Sequence, residues 1–217
     1  MKLGILGGTF DPIHFGHLRA AEEIREELDL EKILFIPGAL PPHKDRKEIT
    51  PFQDRVEMVR LALSDSSSLV VLDLEGRRKG PSYSVETLRE IRAHYKNDIE
   101  MFFIIGVDAF KDIETWKEYK DLFKNSHFVV INRPGISFKE LGPFVLSLGV
   151  GFEKTGTNSY KNRYGNLLIY KKITDMDISS TKIRDMISAG KSIRFLVPQQ
   201  VIDYIVEKGL YNINGFS

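Results

Sequence analysis

The sequence contains no cysteine and a single tryptophan among 217 residues, and its charges nearly cancel. Without cysteine the chain has neither a disulfide nor a thiolate metal site, which is typical of a protein from a reducing compartment. The 31 Lys and Arg residues against 30 Asp and Glu residues give a net charge of +1. This balance provides no general attraction to nucleic acid or to an acidic membrane surface. Any affinity for phosphate must therefore be local.

Long apolar runs are also missing. The stretch MKLGILGG at the amino terminus has one lysine and too short an apolar segment for a signal peptide, and no later segment reaches the length of a membrane span. We therefore expect a cytoplasmic protein with neither a membrane nor nucleic acid as partner. The length predicts one domain, residues 1–217, with the last ~40 residues forming a helical C-terminal part.

Short apolar runs alternate with segments of helical character. The runs are Leu3–Leu6, Ile33–Ile36, Leu69–Leu72, Met101–Ile105 and Phe128–Ile131. This alternation predicts an α/β fold, a parallel sheet flanked by helices. Residues 135–172 lack a clear period, and we predict a long connection there with a strand at Leu167–Tyr170. This segment is also one candidate for a subunit contact, although the sequence leaves the oligomeric state open.

Capping residues and glycines predict where helices begin and end. The predicted helices run from about His17 to Leu28, from a capping Thr50 to about Ser64, from a capping Ser84 to Tyr95, from Ser180 to Gly190 and from Pro198 to Gly209.

The most informative stretch is GGTFDPIHFGHL, directly after the first strand. Gly7 and Gly8 let a phosphate approach the backbone, and the following helix start offers N–H groups and a positive dipole end. His14 and His17, three residues apart, can point toward the same side. One histidine near a helix start often only satisfies nearby backbone, but two make that interpretation weaker. Asp11 is expected to organise the turn rather than to move protons.

A second helix start carries Ser180 and Thr181, whose hydroxyls and N–H groups can bind phosphate. Ordinary helix capping is the alternative, and the two roles are compatible. Arg184 adds a charge that can reach the same phosphates, whereas Lys182 fits a solvated surface lysine equally well.

Other candidates follow predicted strands, whose carboxyl ends share one edge of a parallel sheet. His43 and Lys44 stand in PPHK after the second strand, where a charged surface loop is the alternative. Arg133 follows the fifth strand and can serve as a structural ion-pair partner instead. Asp108, after Gly106, suits a ribose hydroxyl, and helix capping is its competing role.

Beside GGTFDPIHFGH, the chain contains PPHK, GPSYSVETL, FFIIGVDAF, Trp116, NRPG and DISSTKIR, in that order. The set resembles the bacterial nicotinate-nucleotide adenylyltransferase family, within the nucleotidyltransferase superfamily that has the T/HxGH signature. The resemblance implies a Rossmann-like sheet and transfer of the AMP part of ATP to nicotinate mononucleotide, giving deamido-NAD and pyrophosphate in NAD biosynthesis. It also implies Mg²⁺ carried by ATP, with no dedicated metal site.

The resemblance assigns residue roles, beginning with His14 and His17 as catalytic. It places ATP against Gly7, Gly8, Thr9, Phe10, His14, His17, Gly106, Asp108, Ser180, Thr181 and Arg184. It places nicotinate mononucleotide against His43, Lys44, Tyr83, Ser84, Trp116, Lys117 and Arg133. A lone tryptophan is more often part of the core, but the resemblance implies that Trp116 stacks on the pyridine ring. Backbone amides near Ser84 and Lys117 would then hold the ring carboxylate. This chain has SYSVET where SYTxDT is usual, so Ser84 and Glu86 depart mildly from the family pattern.

Two other hypotheses remain at this point. In the first, the enzyme uses another acceptor, either phosphopantetheine or nicotinamide mononucleotide. Trp116 and GPSYS argue against phosphopantetheine, whereas only the overall resemblance argues against nicotinamide mononucleotide. A nucleotide sensor without turnover is the alternative from another class. The intact set of histidines and cations, and the absence of a basic tail, favour an enzyme.

Overall fold

The computed structural model describes residues 1–40, 49–95, 98–132 and 141–211. The strands are β1 (Lys2–Gly8), β2 (Lys32–Pro37), β3 (Leu69–Val71), β4 (Glu100–Gly106), β5 (His127–Ile131), β6 (Glu153–Gly156), β7 (Ser159–Lys161) and β8 (Leu167–Lys171). The helices are α1 (Phe15–Glu27), α2 (Phe52–Ala62), α3 (Ser84–His94), α4 (Val107–Lys111), α5 (Tyr119–Asn125), α6 (Leu141–Ser147), α7 (Ser180–Ser188) and α8 (Gln199–Lys208). None of these helices is long and apolar enough to cross a membrane.

The strands form one sheet in the order β3-β2-β1-β4-β5-β8-β7-β6. The first six strands in this order are parallel, and only the pairs β8–β7 and β7–β6 are antiparallel. Leu6 of β1 pairs with Phe35 on one side and with Ile104 on the other. The strand order reverses between β1 and β4, and the carboxyl ends of two such strands leave a crevice in which open parallel sheets bind ligands.

The sheet is covered on both faces, which explains why its central strands are almost continuously apolar. Alternate residues of β1 enter two different cores: Leu3 and Ile5 pack with apolar residues of α3, α5 and α6, and Leu6 packs with those of α1, α2, α7 and α8. Gly4 fits this packing because a Cβ there would lie 2.9 Å from the Ile33 side chain. The predicted Rossmann-like α/β fold is confirmed.

Three predicted caps were wrong by one residue. The N-cap of α2 is Pro51, because the backbone of Thr50 bonds elsewhere: its N–H donates to Asp11 and its carbonyl accepts from Arg55. Tyr83 occupies the N-cap of α3, so Ser84 is the first helical residue. Ser179 caps α7 by accepting from the Lys182 N–H, 3.2 Å away. The glycine stops were correct, since Gly190 and Gly209 have φ of +65° and +60°, which favour glycine.

The prediction of a long connection over residues 135–172 was wrong apart from its strand, now β8. The described part holds α6 and the β6–β7 hairpin. The asparagines that suggested a loop stabilise this region through hydrogen bonds. Buried Asn162 accepts from the N–H groups of Tyr164 and Asn166 through Oδ1. Its Nδ2 donates to the carbonyl of Phe123, at 2.8 Å, and so ties the turn to α5.

His127 joins β5 to β8. Its Nδ1 accepts from the N–H of Leu167 at 2.8 Å, and its Nε2 lies 3.1 Å from Glu100 Oε1. An accepting Nδ1 requires the neutral ring with its proton on Nε2. Burial lowers the pKa of His127 below its ordinary 6.5, although Glu100 acts in the opposite direction.

We expect this histidine to make stability depend on pH. Because the pKa is lower in the folded protein, the contribution is complete above about 6.5 and is lost as pH falls through the folded value. The free energy of unfolding, measured with urea between about pH 7 and pH 5, should therefore decrease more in the wild type than in His127→Asn. Asparagine keeps an acceptor but cannot be protonated. The same pH dependence in both proteins would exclude His127 as the cause.

Candidate nucleotide-binding site

A cleft of about 900 Å³ opens at the carboxyl ends of β1 and β4. The sequence-predicted site residues that line it are Gly7, Gly8, Thr9, His14, His17, Tyr83, Ser84, Gly106, Asp108, Trp116 and Lys117. Phe10, Ser180, Thr181 and Arg184 lie outside its lining, and His43, Lys44 and Arg133 fall outside the described residues. We call Gly7, Gly8, Thr9, His14 and His17 the phosphate end of the cleft, and Tyr83, Ser84, Trp116 and Lys117 its aromatic end.

The turn after β1 is shaped by Phe10. This residue has φ +48°, a left-handed conformation that is rare for a bulky side chain, and it is 2% exposed. Its ring lies under the turn, 5.1 Å from the ring of His17, and a Cβ on Gly8 would come within 2.9 Å of it. A Cβ on Gly7 would meet no described atom within 4 Å, so the missing side chain leaves room in the cleft. Phe10 thus supports the turn from below.

His14 and His17 stand at the start of α1, as the N-cap residue and the third helical residue. Their rings stack with centroids 3.7 Å apart. Gly16 permits this arrangement, because a Cβ there would lie 3.0 Å from His14 Nδ1. His17 Nδ1 accepts from the His14 backbone N–H at 3.3 Å, so a neutral His17 carries its proton on Nε2. The pair therefore brings a ring N–H donor to the phosphate end.

The aromatic end combines a helix start with a compensated cation. Lys117 Nζ donates to Glu86 Oε1 at 2.6 Å and lies 4.4 Å from the centre of the Tyr83 ring. This hydrogen bond lowers the pKa of Glu86 and raises that of Lys117, so both are ionised at neutral pH. Ser84 and Val85, at the first positions of α3, also line the cleft, and N–H groups there have no intrahelical acceptor. Backbone donors can thus receive an anion at this end.

Trp116 is half-buried between the core and the cleft. Its ring meets Phe103 edge to face, at 6.2 Å between centroids, while the residue also lines the cleft. Asp108 is exposed in the cleft near the start of α4, whose N-cap is Gly106, so the capping alternative for Asp108 was wrong. The space beside Gly106 is also open, because a Cβ on this residue would meet no described atom within 4 Å.

The start of α7 lies next to the turn rather than in the lining of the cleft. Ser180 Oγ donates to the Pro12 carbonyl at 2.9 Å, and Arg184 Nη1 donates to the Asp11 carbonyl at 2.8 Å. Thr181 is exposed. The helix thus holds the turn between Phe10 and His14, while Ser179 performs the capping expected of Ser180.

Several residues of the site were not predicted from the sequence. Residues 173–176 line the cleft, and Asn132 holds this segment by accepting from the N–H of Ile173 and donating to Asp175. Buried Glu75 also lines the cleft and accepts from Thr87 Oγ1 at 2.6 Å. Arg55, which is 1% exposed on the inner face of α2, is another residue that was not singled out from the sequence. A signal existed for Arg55: Phe52, Val56 and Val59 recur at helical spacing, and Arg55 lies three residues after Phe52 on the same apolar face.

A glycine turn, a histidine-bearing helix start and an aromatic pocket at the switch point of a parallel sheet define a nucleotide-binding α/β protein. The chain belongs to the cytidylyltransferase-like family, whose profile matches residues 5–186.

Similar proteins extend over almost the whole chain. A protein of Syntrophotalea carbinolica, named probable nicotinate-nucleotide adenylyltransferase, is 45% identical over 97% of each chain. One of Geobacter metallireducens with the same name is also 45% identical, over 97% of this chain and 98% of its own. Among solved structures, nicotinic acid mononucleotide adenylyltransferase of Plasmodium falciparum complexed with NaAD has a TM-score of 0.76 at 21% identity, covering 98% of both chains. The structural likeness supports the fold.

The two glycines of the turn should respond differently to a methyl group. In Gly8→Ala the new Cβ would press on three atoms of the Phe10 ring, the nearest at 2.9 Å, so we expect a loss of about 1–3 kcal/mol in the free energy of unfolding. Gly7→Ala adds its methyl to open space and should stay within about 0.5 kcal/mol of the wild type. Urea denaturation of both variants measures the difference. Equal losses would contradict the packing of Phe10 beneath Gly8.

Proposed function

We propose that the protein transfers the adenylyl group of ATP to nicotinate mononucleotide, giving deamido-NAD and pyrophosphate in NAD biosynthesis. The observation that carries this proposal is that one cleft joins the phosphate end to the aromatic end. A reaction between two nucleotides needs adjacent sites of different chemistry, one for phosphates and one for a planar ring. The names of the 45% identical relatives support the same acceptor.

The reaction needs alignment more than acid–base chemistry. A phosphate oxygen of nicotinate mononucleotide attacks the α-phosphorus of ATP. An oxygen–phosphorus bond forms, the bond from the α-phosphorus to the bridging oxygen breaks, and its electron pair leaves with pyrophosphate. The nucleophile is already an anion at neutral pH, so no side chain has to remove a proton. The barrier falls when two repelling phosphates are held in line and the developing charge is neutralised.

At the phosphate end, we assign that neutralisation to His14 and His17. The Nε2–H of a neutral His17 is a donor at the end of the cleft that Gly8 and Thr9 also line. The start of α1 adds its dipole. Phe10 would take part only through its backbone, since its side chain is buried.

The start of α7 would extend this end of the site through Ser180 and Thr181. Arg184 already donates one of its five N–H groups to the turn, which leaves others for the triphosphate. For adenosine we propose Gly106, where the open space admits a ligand, and Asp108 as an acceptor for a ribose hydroxyl.

At the aromatic end, we propose that Trp116 stacks on the pyridine ring beside Tyr83. Since Glu86 compensates the charge of Lys117, the ring carboxylate would bind backbone N–H groups at Ser84 and Lys117. His43, Lys44 and Arg133 would contact phosphate, an assignment that rests on the resemblance alone.

ATP is expected to enter as its magnesium complex. Within the described ranges, no three His, Asp or Glu side chains are grouped so that they could hold a metal ion, and the phosphate oxygens of ATP would be the main ligands. We further propose that residues 1–217 act as one domain, since apolar residues of α7 and α8 share a core with β1. A cytoplasmic location fits the lack of cysteine.

The acceptor is tested by pyrophosphate release from ATP and Mg²⁺ with nicotinate mononucleotide, nicotinamide mononucleotide or phosphopantetheine supplied separately. We expect rapid release with nicotinate mononucleotide and at most slow release with the other two, because backbone donors at the aromatic end favour a carboxylate over an amide. A preference for another acceptor would contradict the assignment of the aromatic end. No release with any acceptor, despite ATP binding, would favour a sensor.

The role of His17 is tested by His17→Ala. Removing one well-placed donor to a developing charge lowers turnover by about 10²-fold or more. The rate of pyrophosphate release should fall by that factor, while circular dichroism and melting temperature stay near those of the wild type. His94→Ala is the matched control, since His94 is exposed on α3 and outside the cleft lining. Near-normal turnover in His17→Ala would remove this residue from the mechanism.

A further inference from the structure

The turn that carries the phosphate end is fixed from behind by a buried polar cluster. Arg55 donates to three backbone carbonyls: Thr9 at 2.7 Å, Thr50 at 2.9 Å and Ala39 at 3.4 Å. Thr9 lines the cleft, whereas Arg55 does not. The guanidinium therefore acts on the cleft through the backbone that it holds.

Asp11 supplies the negative charge of the same cluster. It is 3% exposed and its Oδ2 accepts from Thr50 N at 3.3 Å. Its Oδ1 accepts from the hydroxyl of Tyr211 at 2.6 Å. Asp11 stands between Thr9 and His14, both of which line the cleft. A shift of the Asp11 carboxylate would therefore move the stretch of backbone that carries Thr9 and His14.

Tyr211 is held in an unfavourable backbone conformation while it makes this bond. Its φ is +65°, in the left-handed region that a tyrosine rarely adopts. Burial, and next the charge of Asp11, raise the pKa of its hydroxyl, so it remains a donor throughout the neutral range. Strain of this kind persists where surrounding contacts over-determine it, and such sites cluster at functional regions.

We propose that Tyr211 is a positioning residue for adenylyl transfer: its hydroxyl fixes the Asp11 carboxylate, and through it the turn that binds the phosphates of ATP. This inference rests on the proposed function, because it names a part of that same site. It predicts that the hydroxyl contributes to nucleotide binding and turnover although it lies outside the cleft lining.

The chain offers a matched control. Tyr204, on α8, donates to Asp54 Oδ1 at 2.8 Å. Like Tyr211, it links the C-terminal helical part to the body of the protein through a tyrosine–aspartate hydrogen bond, but Asp54 belongs to α2 and not to the turn. Tyr211→Phe and Tyr204→Phe therefore remove similar bonds at different places.

Three quantities are measured for both variants: melting temperature, dissociation constant of a non-hydrolysable ATP analogue, and kcat/KM for ATP with nicotinate mononucleotide. We expect a larger decrease in melting temperature for Tyr211→Phe than for Tyr204→Phe, because the Asp11 carboxylate is buried and that of Asp54 is only half-buried. Tyr211→Phe should weaken analogue binding and lower kcat/KM roughly tenfold, since small displacements of binding groups cost that much or more. Tyr204→Phe should change neither by more than about twofold. Asp11→Asn should make the effect of Tyr211→Phe smaller than in the wild type, because the two residues act as one unit.

Equal effects of the two variants on analogue binding would overturn the proposal, as would full additivity with Asp11→Asn. A failure of the proposed function can be distinguished from a failure of the proposed role of Tyr211. If the wild type binds the analogue but releases no pyrophosphate with any acceptor, adenylyl transfer is excluded, and the two dissociation constants still decide the role of Tyr211.

Discussion

The buried guanidinium of Arg55 holds together the loops that follow the first two strands of the sheet. Taking a cation out of water is costly, and burial lowers the pKa of Arg55 accordingly. Hydrogen bonds to charged groups contribute about 1.5–3 kcal/mol each, so the carbonyls of Thr9, Thr50 and Ala39 and the nearby charge of Asp11 are needed to offset that cost. A backbone in any other arrangement would leave the cation unpaired. The conformation of the phosphate end thus follows from a charge that the cleft never exposes.

Under the proposed function, this arrangement would let a chain with almost no net charge bind a triphosphate. The phosphate end uses backbone N–H groups, a helix start and ring donors, none of which requires an excess of basic residues. At the other end, Lys117 is already paired with Glu86. In the proposed reaction, these dipoles are already fixed in place and would stabilise developing charge without having to reorganise.

Much of the fold could be predicted from the sequence because its signals were local. Apolar runs predicted the six parallel strands but not β6 and β7, and Gly190 and Gly209 predicted the ends of the last helices. Two caps failed where the expected residue made a contact distant in sequence: Thr50 N–H donates to Asp11, and Ser180 Oγ donates to the carbonyl of Pro12.

The candidate site shows the same difference between residues with a local sequence signal and residues that only folding brings together. His14, His17 and the glycines were found through a contiguous motif and its family resemblance. Residues 173–176 and Glu75 had no such motif and joined the cleft only through folding. Asn162 suggested a loop, yet its side-chain amide organises the turn between β7 and β8 and ties that turn to α5.

The hydrogen bond between Tyr211 and Asp11 spans 200 positions of the chain, and that between Arg184 and Asp11 spans 173. A protein is synthesised from its amino terminus, so the glycine turn and both histidines leave the ribosome before Arg184 and Tyr211. The contacts of Asp11 with Arg184 and Tyr211 therefore form only after α7 and α8 have been made. The glycine turn exists in the nascent chain long before it acquires its complete set of hydrogen bonds, which requires the synthesis of Tyr211.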